Sequence, residues 1–226
     1  MRALKILGFA AALLMGSQAN AIVIDNFKEG NNLANIGNLI SWDSGFNYDF
    51  NTIGLSRRLS IVSGASTTAE VTNDNLYISK TNTPGQTSIV RLIWNNNPSE
   101  TSGGAIGLGG RDLTDEGNAL GVDITSFTGG PIDLNWKVTN TGGANTFFGT
   151  TGITGIGLAS TTMTGLVSIV TDANAIQLDI ILPIAATDLV INLIASSENI
   201  HIPEPSLLAL LGVSALGIAV VRRRQR

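Results

Sequence analysis

Ile132-Asp133-Leu134-Asn135-Trp136-Lys137-Val138 places an apolar side chain at every second position and a polar one between. That period of two marks an extended strand with one face toward a core and the other toward water. The same alternation recurs in Leu120-Gly121-Val122-Asp123-Ile124 and in Ile176-Gln177-Leu178-Asp179-Ile180-Ile181-Leu182. A further strand is predicted over residues 189–194, and shorter β-rich pieces lie at 22–27, 59–62, 76–79 and 88–94. Asn, Asp, Gly, Ser and Thr clusters between these runs supply turns. The spacing predicts roughly ten strands and no sustained helical period, so the body is read as an all-β, antiparallel β-sandwich of jelly-roll type. Residues 102–110 and 139–157 are glycine-rich and are expected to be long loops.

The two ends of the 226-residue chain are built differently. Arg2 and Lys5 precede an uncharged apolar run over residues 6–15, and Ala19-Asn20-Ala21 supplies small residues where a signal peptidase cuts, so residues 1–21 are read as a signal peptide. At the far end Pro203-Glu204-Pro205 is followed by the uncharged residues 207–221 and then by Arg222-Arg223-Arg224-Gln225-Arg226. Fifteen helical residues span about 23 Å. A hydrocarbon core is about 30 Å thick, so the segment is read as a short transmembrane helix that relies on snorkelling arginines and local thinning. The arginines favour the cytoplasmic face and put everything before Pro203 outside. Pro203 and Pro205 remove two backbone donors and bias the chain toward an extended shape that a protease groove can hold, and Pro205 suits the first turn of the helix that follows. The domain plan is therefore 1–21 signal peptide, 22–199 sandwich and 200–226 sorting and anchor segment.

Between the ends, residues 22–202 carry seven basic and sixteen acidic side chains, a net charge of −9. Nucleic acid, which is bound by clustered Lys and Arg, is not an expected partner. The whole chain is 43% hydrophobic and 13% charged, and the body should form a packed core. The absence of cysteine excludes a disulfide scaffold, a thiolate metal site and a cysteine nucleophile.

Other chemistries are tested by what they require. The single histidine, His201, stands two residues before Pro203 and cannot serve a catalytic triad in the body, and one histidine with no cysteine does not make a zinc site. Calcium needs only oxygen ligands, which Asp112, Asp115, Glu116 and Asn118 offer around Gly117; calcium is the one cofactor considered. Gly103-Gly104-Ala105-Ile106-Gly107-Leu108-Gly109-Gly110 lacks the Lys-Ser/Thr of a phosphate loop. Glycoside hydrolysis needs a pair of carboxylates, and the E-x-D-x-x-E run of laminarinase-type sandwiches is absent. A polysaccharide site needs an exposed ring for stacking and amides for hydroxyl groups, for which Trp42, Tyr48 and Trp94, with Asn95, Asn96 and Asn97, are the candidates. Trp136 alternates into the apolar set and is expected in the core.

The tail closely resembles the PEP-CTERM sorting signal of Gram-negative bacteria. The resemblance implies that Pro203, Glu204 and Pro205 are recognised by exosortase, a membrane protease that processes such tails. It further implies that residues 207–221 form the membrane segment and that Arg222, Arg223, Arg224 and Arg226 stop transfer. It associates the chain with extracellular polysaccharide and biofilm. Asp112-Leu113-Thr114, Gly117-Asn118 and the strand after them, with Ile24-Asp25-Asn26-Phe27, resemble segments of carbohydrate-binding jelly rolls. The expected protein is a non-enzymatic surface or matrix protein. Its precursor is anchored in the inner membrane, its partners are signal peptidase, exosortase and extracellular polysaccharide, and a secreted polysaccharide hydrolase is the alternative.

Overall fold

The computed structural model describes residues 22–27, 32–35, 41–43, 57–63, 66–81, 85–95, 107–115, 117–163 and 167–196. The segments read as signal peptide and sorting tail, together with Tyr48 and Glu116, lie outside the described residues. Thirteen strands are present among those described. They are β1 (Ile22–Asp25), β2 (Asn32–Asn35), β3 (Ser41–Asp43), β4 (Arg57–Ser63), β5 (Thr67–Thr72), β6 (Asn75–Lys80) and β7 (Ser88–Trp94). After these come β8 (Ala119–Gly129), β9 (Ile132–Asn140), β10 (Asn145–Ile153), β11 (Gly157–Thr162), β12 (Ala173–Leu182) and β13 (Thr187–Ser196), with one short helix, α1 (Val167–Val170), before β12.

Among the described residues every pairing is antiparallel. One sheet runs β11-β8-β13-β6-β5-β2 with β1 added on β13, and the other runs β10-β9-β12-β7-β4-β3. The chain crosses between sheets at most steps from β6 onward, so neighbours within a sheet are distant in sequence. The period of two decides which side chains go inside: β9 alternates buried Ile132, Leu134, Trp136 and Val138 with more exposed Asp133, Asn135 and Lys137. Those residues meet Leu120, Val122 and Ile124 of β8, Ile176, Leu178, Ile180 and Leu182 of β12, and Leu189, Ile191 and Ile194 of β13 in a single apolar cluster. Burial of this apolar area is the main stabilising term of the fold.

Turn chemistry fixes the register. Thr72 pairs with Asn75 around Asn73 and Asp74, both at positive φ (48° and 60°), the two-residue turn whose twist suits a hairpin. Between β8 and β9, Gly129 has φ 119°, and a Cβ there would come within 2.2 Å of the Ala186 carbonyl oxygen. Only glycine fits that crossing.

Three expectations are corrected. The glycine-rich stretch 139–157 is mostly strand, because β10 pairs with β9 from Asn145↔Thr139 to Ile153↔Ile132, and its threonines and phenylalanines favour a pleated edge. Its actual turn is short and closed by Asn140, whose side chain accepts from Ala144 N at 2.8 Å. The chain also forms more strands than the roughly ten expected, since the short β2, β3 and β11 carry no apolar run strong enough to be read. Finally, α1 occupies a stretch for which no helix was expected; Ile169 and Val170 on it are buried.

Candidate functional site

Asp25, on the short motif Ile24-Asp25-Asn26-Phe27, is an anchor rather than a ligand group. Its carboxylate accepts from Arg57 Nη1 at 2.7 and 2.8 Å, from Trp94 Nε1 at 2.8 Å and from Phe27 N at 2.8 Å. The Arg57 guanidinium stands 5.2 Å from the Phe27 ring centroid, within range of a cation–π contact. Asp25 and Arg57 are 6% and 7% exposed. This cluster ties β1 to β4 and β7.

Trp94 is thereby removed from the candidate glycan contacts. It is 1% exposed and its ring lies in the core, because β7 is a central strand of its sheet and the indole N–H finds its partner in Asp25. Asn95 beside it is equally buried. Trp42 lies on β3, where its register partner is Arg58. Trp136 is core, as its alternation predicts.

Of the calcium candidates, Asp112, Asp115 and Asn118 are among the described residues. Asp112 turns its Oδ1 onto its own loop, accepting from Thr114 N at 2.8 Å and Thr114 Oγ1 at 2.6 Å, while Asp115 and Asn118 are exposed. The Asn118 backbone carbonyl is used to accept from Met163 N. Among the described residues no three acidic or histidine side chains are grouped to hold a metal ion.

What the tertiary structure does assemble is the solvent face of the six-stranded sheet. Cross-strand partners share a face, so the registers align two rows of side chains. One row reads Phe147, Lys137, Gln177, Ile93 and Arg58; the next reads Gly149, Asn135, Asp179, Arg91 and Ser60. Over β10, β9 and β12 these rows form a groove of about 520 Å³ lined by Phe147, Lys137, Asn135, Gly149, Gln177 and Asp179. At its β7–β4 end Ile93 and Arg58 are buried.

Phe147 is 70% exposed and forms one wall. An exposed aromatic wall of this kind is suited to stacking on the apolar face of a ring. Gly149 is required by space: a Cβ there would stand 2.7 Å from Asn135 Oδ1 and 3.0 Å from the Leu134 carbonyl oxygen. Its bare backbone leaves Asn135 open to the groove.

The charged groups are unevenly matched. Arg91 donates to Asp179 through Nε and Nη2, both at 2.6 Å, and Gln177 Nε2 adds a third bond to Asp179 at 3.1 Å. The hydrogen bond to Asp179 raises the Arg91 pKa above its usual value, with burial opposing and the Asp179 charge assisting. Arg58 is shifted the other way, first by burial and then by the Arg91 charge. Lys137 is half-buried and makes no ion pair among the described residues. The groove therefore holds one neutralised pair and one unmatched cation.

None of the groove residues is among the sequence candidates. Their polar alternation is visible in the sequence, but the neighbour relation of β10, β9 and β12 is not.

The comparison with known families decides the tail: residues 201–224 match the PEP-CTERM protein-sorting motif. The chain carries a PEP-CTERM sorting signal. That signal implies a protein that is exported as a membrane-anchored precursor and sorted by exosortase. Pro203, Glu204 and Pro205 fall within the match, as do Arg222, Arg223 and Arg224. No curated protein sequence matches the chain.

Among solved structures, the body is similar to a family 11 carbohydrate-binding module of a Clostridium thermocellum cellulosomal cellulase, at 12% identity and TM-score 0.36 over 80% of this chain and 98% of that one. A second structure of a family 11 module from Clostridium thermocellum, in complex with a mixed-linked tetrasaccharide, gives 11% identity and TM-score 0.36 over 78% of this chain and 95% of that one. An agarase, AgWH50C, gives 10% identity and TM-score 0.41 over 79% of this chain, which spans 25% of the agarase.

Proposed function

We propose that the body of this PEP-CTERM protein is a non-enzymatic sandwich of jelly-roll type that binds extracellular polysaccharide in the groove on its six-stranded sheet. Exosortase delivers it to the cell surface or the extracellular polymer, where it serves as a matrix component of a biofilm. The observation that supports this reading is the exposed Phe147 ring beside the amides of Asn135 and Gln177 on a rigid pleated floor. An aromatic with adjacent amides is the composition that binds a sugar ring and its hydroxyl groups.

A hydrolase reading draws no support from the groove. Its one lining carboxylate, Asp179, already accepts on both oxygens from Arg91 and on one from Gln177, which is poor geometry for a general acid.

Phe147→Ala tests the binding site. Loss of a stacked ring is worth on the order of 1 to 1.5 kcal/mol, so affinity for a bound polysaccharide should fall about tenfold. The thermal unfolding midpoint should hardly move, because the ring is exposed. Tyr77→Ala on the other sheet's solvent face should leave affinity unchanged. Equal losses from both variants, or none from Phe147→Ala, would sink the groove as the site.

A further inference from the structure

We infer that the groove selects a polysaccharide bearing anionic groups, carboxylate or sulfate, and that Lys137 is the residue that reads the charge. This rests on the polysaccharide-binding reading and narrows it to a ligand class.

Lys137 stands on β9 between Phe147 of β10 and Gln177 of β12 in its own row. The adjacent rows on either side bring Gly149, Asn135 and Asp179, and Asn145, Thr139 and Ala175. The only carboxylate among these neighbours is Asp179, and both its oxygens are bound by Arg91. Thr139 turns its hydroxyl to Asn145, so it offers Lys137 no anion either. Lys137 is thus a half-buried residue lining the groove in one row with Phe147, and it has no compensating carboxylate among the described residues.

In a body of net charge −9 this is a local exception. Of the body's five other described cations, Arg57 is bound to Asp25, Lys80 is buried and donates to the Ile184 carbonyl, Arg91 is matched by Asp179, Arg58 is buried at the far end of the row, and Arg111 is exposed on a bridge to Ala173, outside the groove lining. A cation that lines a groove without a carboxylate partner offers a ligand of opposite charge a charge-assisted hydrogen bond. At physiological ionic strength the Debye length is about 8 Å, so the acidic body repels a polyanion weakly across the groove while contact at Lys137 is little screened.

The test measures equilibrium binding of the full chain in a neutral detergent at physiological ionic strength. The immobilised polymers are polygalacturonate and its carboxyl-reduced form, and dextran sulfate and dextran. At least one charged polymer should bind about tenfold more tightly than its neutral parent, the gain from one charge-assisted bond. Which charged polymer is preferred separates carboxylate from sulfate. Lys137→Gln should bring charged and neutral polymers to the same affinity, and Lys137→Arg should restore the preference. Equal binding of charged and neutral polymers by the native chain would overturn the charge selection and leave the polysaccharide reading standing. A preference that survives Lys137→Gln would also overturn it. Binding to none of the four would overturn both.

Discussion

The solvent faces of the two sheets are built to opposite ends. On the seven-stranded sheet the described outward groups around Asp188 satisfy one another: Ser79 donates to Asp188 Oδ1 at 2.6 Å, and Thr128 lies 3.5 Å from Asp188 Oδ2. Elsewhere on this face Tyr77 is 39% and Leu158 42% exposed, and no described aromatic stands as open as Phe147. On the six-stranded sheet a bare phenylalanine, two amides and an unmatched lysine surround a groove. The lesson is that binding capacity lies in unsatisfied groups that are also exposed and gathered in a groove: the unpartnered Asp123 Oδ2 of the other sheet is buried. The two faces share one core and one pleat, so backbone geometry alone does not separate them.

The comparison can be broken most severely from the anchor they share. Asp25→Ala would take the bidentate Asp25 contact from the buried Arg57 guanidinium and the acceptor from the Trp94 N–H. A loss of about 3 to 5 kcal/mol is expected, read as a large drop in the denaturation midpoint together with lost binding. A drop no greater than that of an exposed substitution would mean that β1 does not tie the sheets.

Gly149→Val sharpens the contrast by closing one face only. The new side chain meets Asn135 Oδ1 and the Leu134 carbonyl, so stability should fall by about 1 to 3 kcal/mol and polysaccharide binding should fall with it. Unchanged binding with lowered stability would place the ligand elsewhere.

The smallest effect belongs to the seven-stranded sheet. Asp123 is 4% exposed, its Oδ2 has no hydrogen-bond partner among the described residues, and burial raises its pKa. A carboxyl with a raised folded-state pKa binds protons more tightly in the folded protein, so its ionisation destabilises the fold above that pKa. Stability should therefore rise as pH falls through the folded-state value. Asp123→Asn should stabilise the chain by on the order of 1 kcal/mol at neutral pH, the scale of an unsatisfied buried polar group. The advantage should vanish below about pH 4, where the carboxyl is protonated in both states. Thermal melts of both proteins across that range check the sign, and a difference independent of pH would refute the burial argument.

Legibility in the sequence followed the strength of the local signal. The alternation around Trp136 and through residues 176–182 marked strands and core faces, because a buried face requires a period of two. The same rule failed over residues 145–153, where Phe147, Gly149 and Thr150 sit on an edge strand that faces solvent on much of its surface. Composition there reads as a turn. Trp94 was a plausible sugar contact as a tryptophan followed by asparagines, and only its place on a central strand next to Asp25 shows it to be core.

By itself the sequence determined the two things that local chemistry dictates: an all-β body, from alternating polarity, and a sorting address, from the ordered Pro-Glu-Pro, apolar run and arginines that a membrane and a protease read in one dimension. The groove was decided only by the tertiary structure. Its residues come from β9, β10 and β12, and cross-strand register, set by long-range pairing and core packing, brings Phe147, Lys137 and Gln177 into one row.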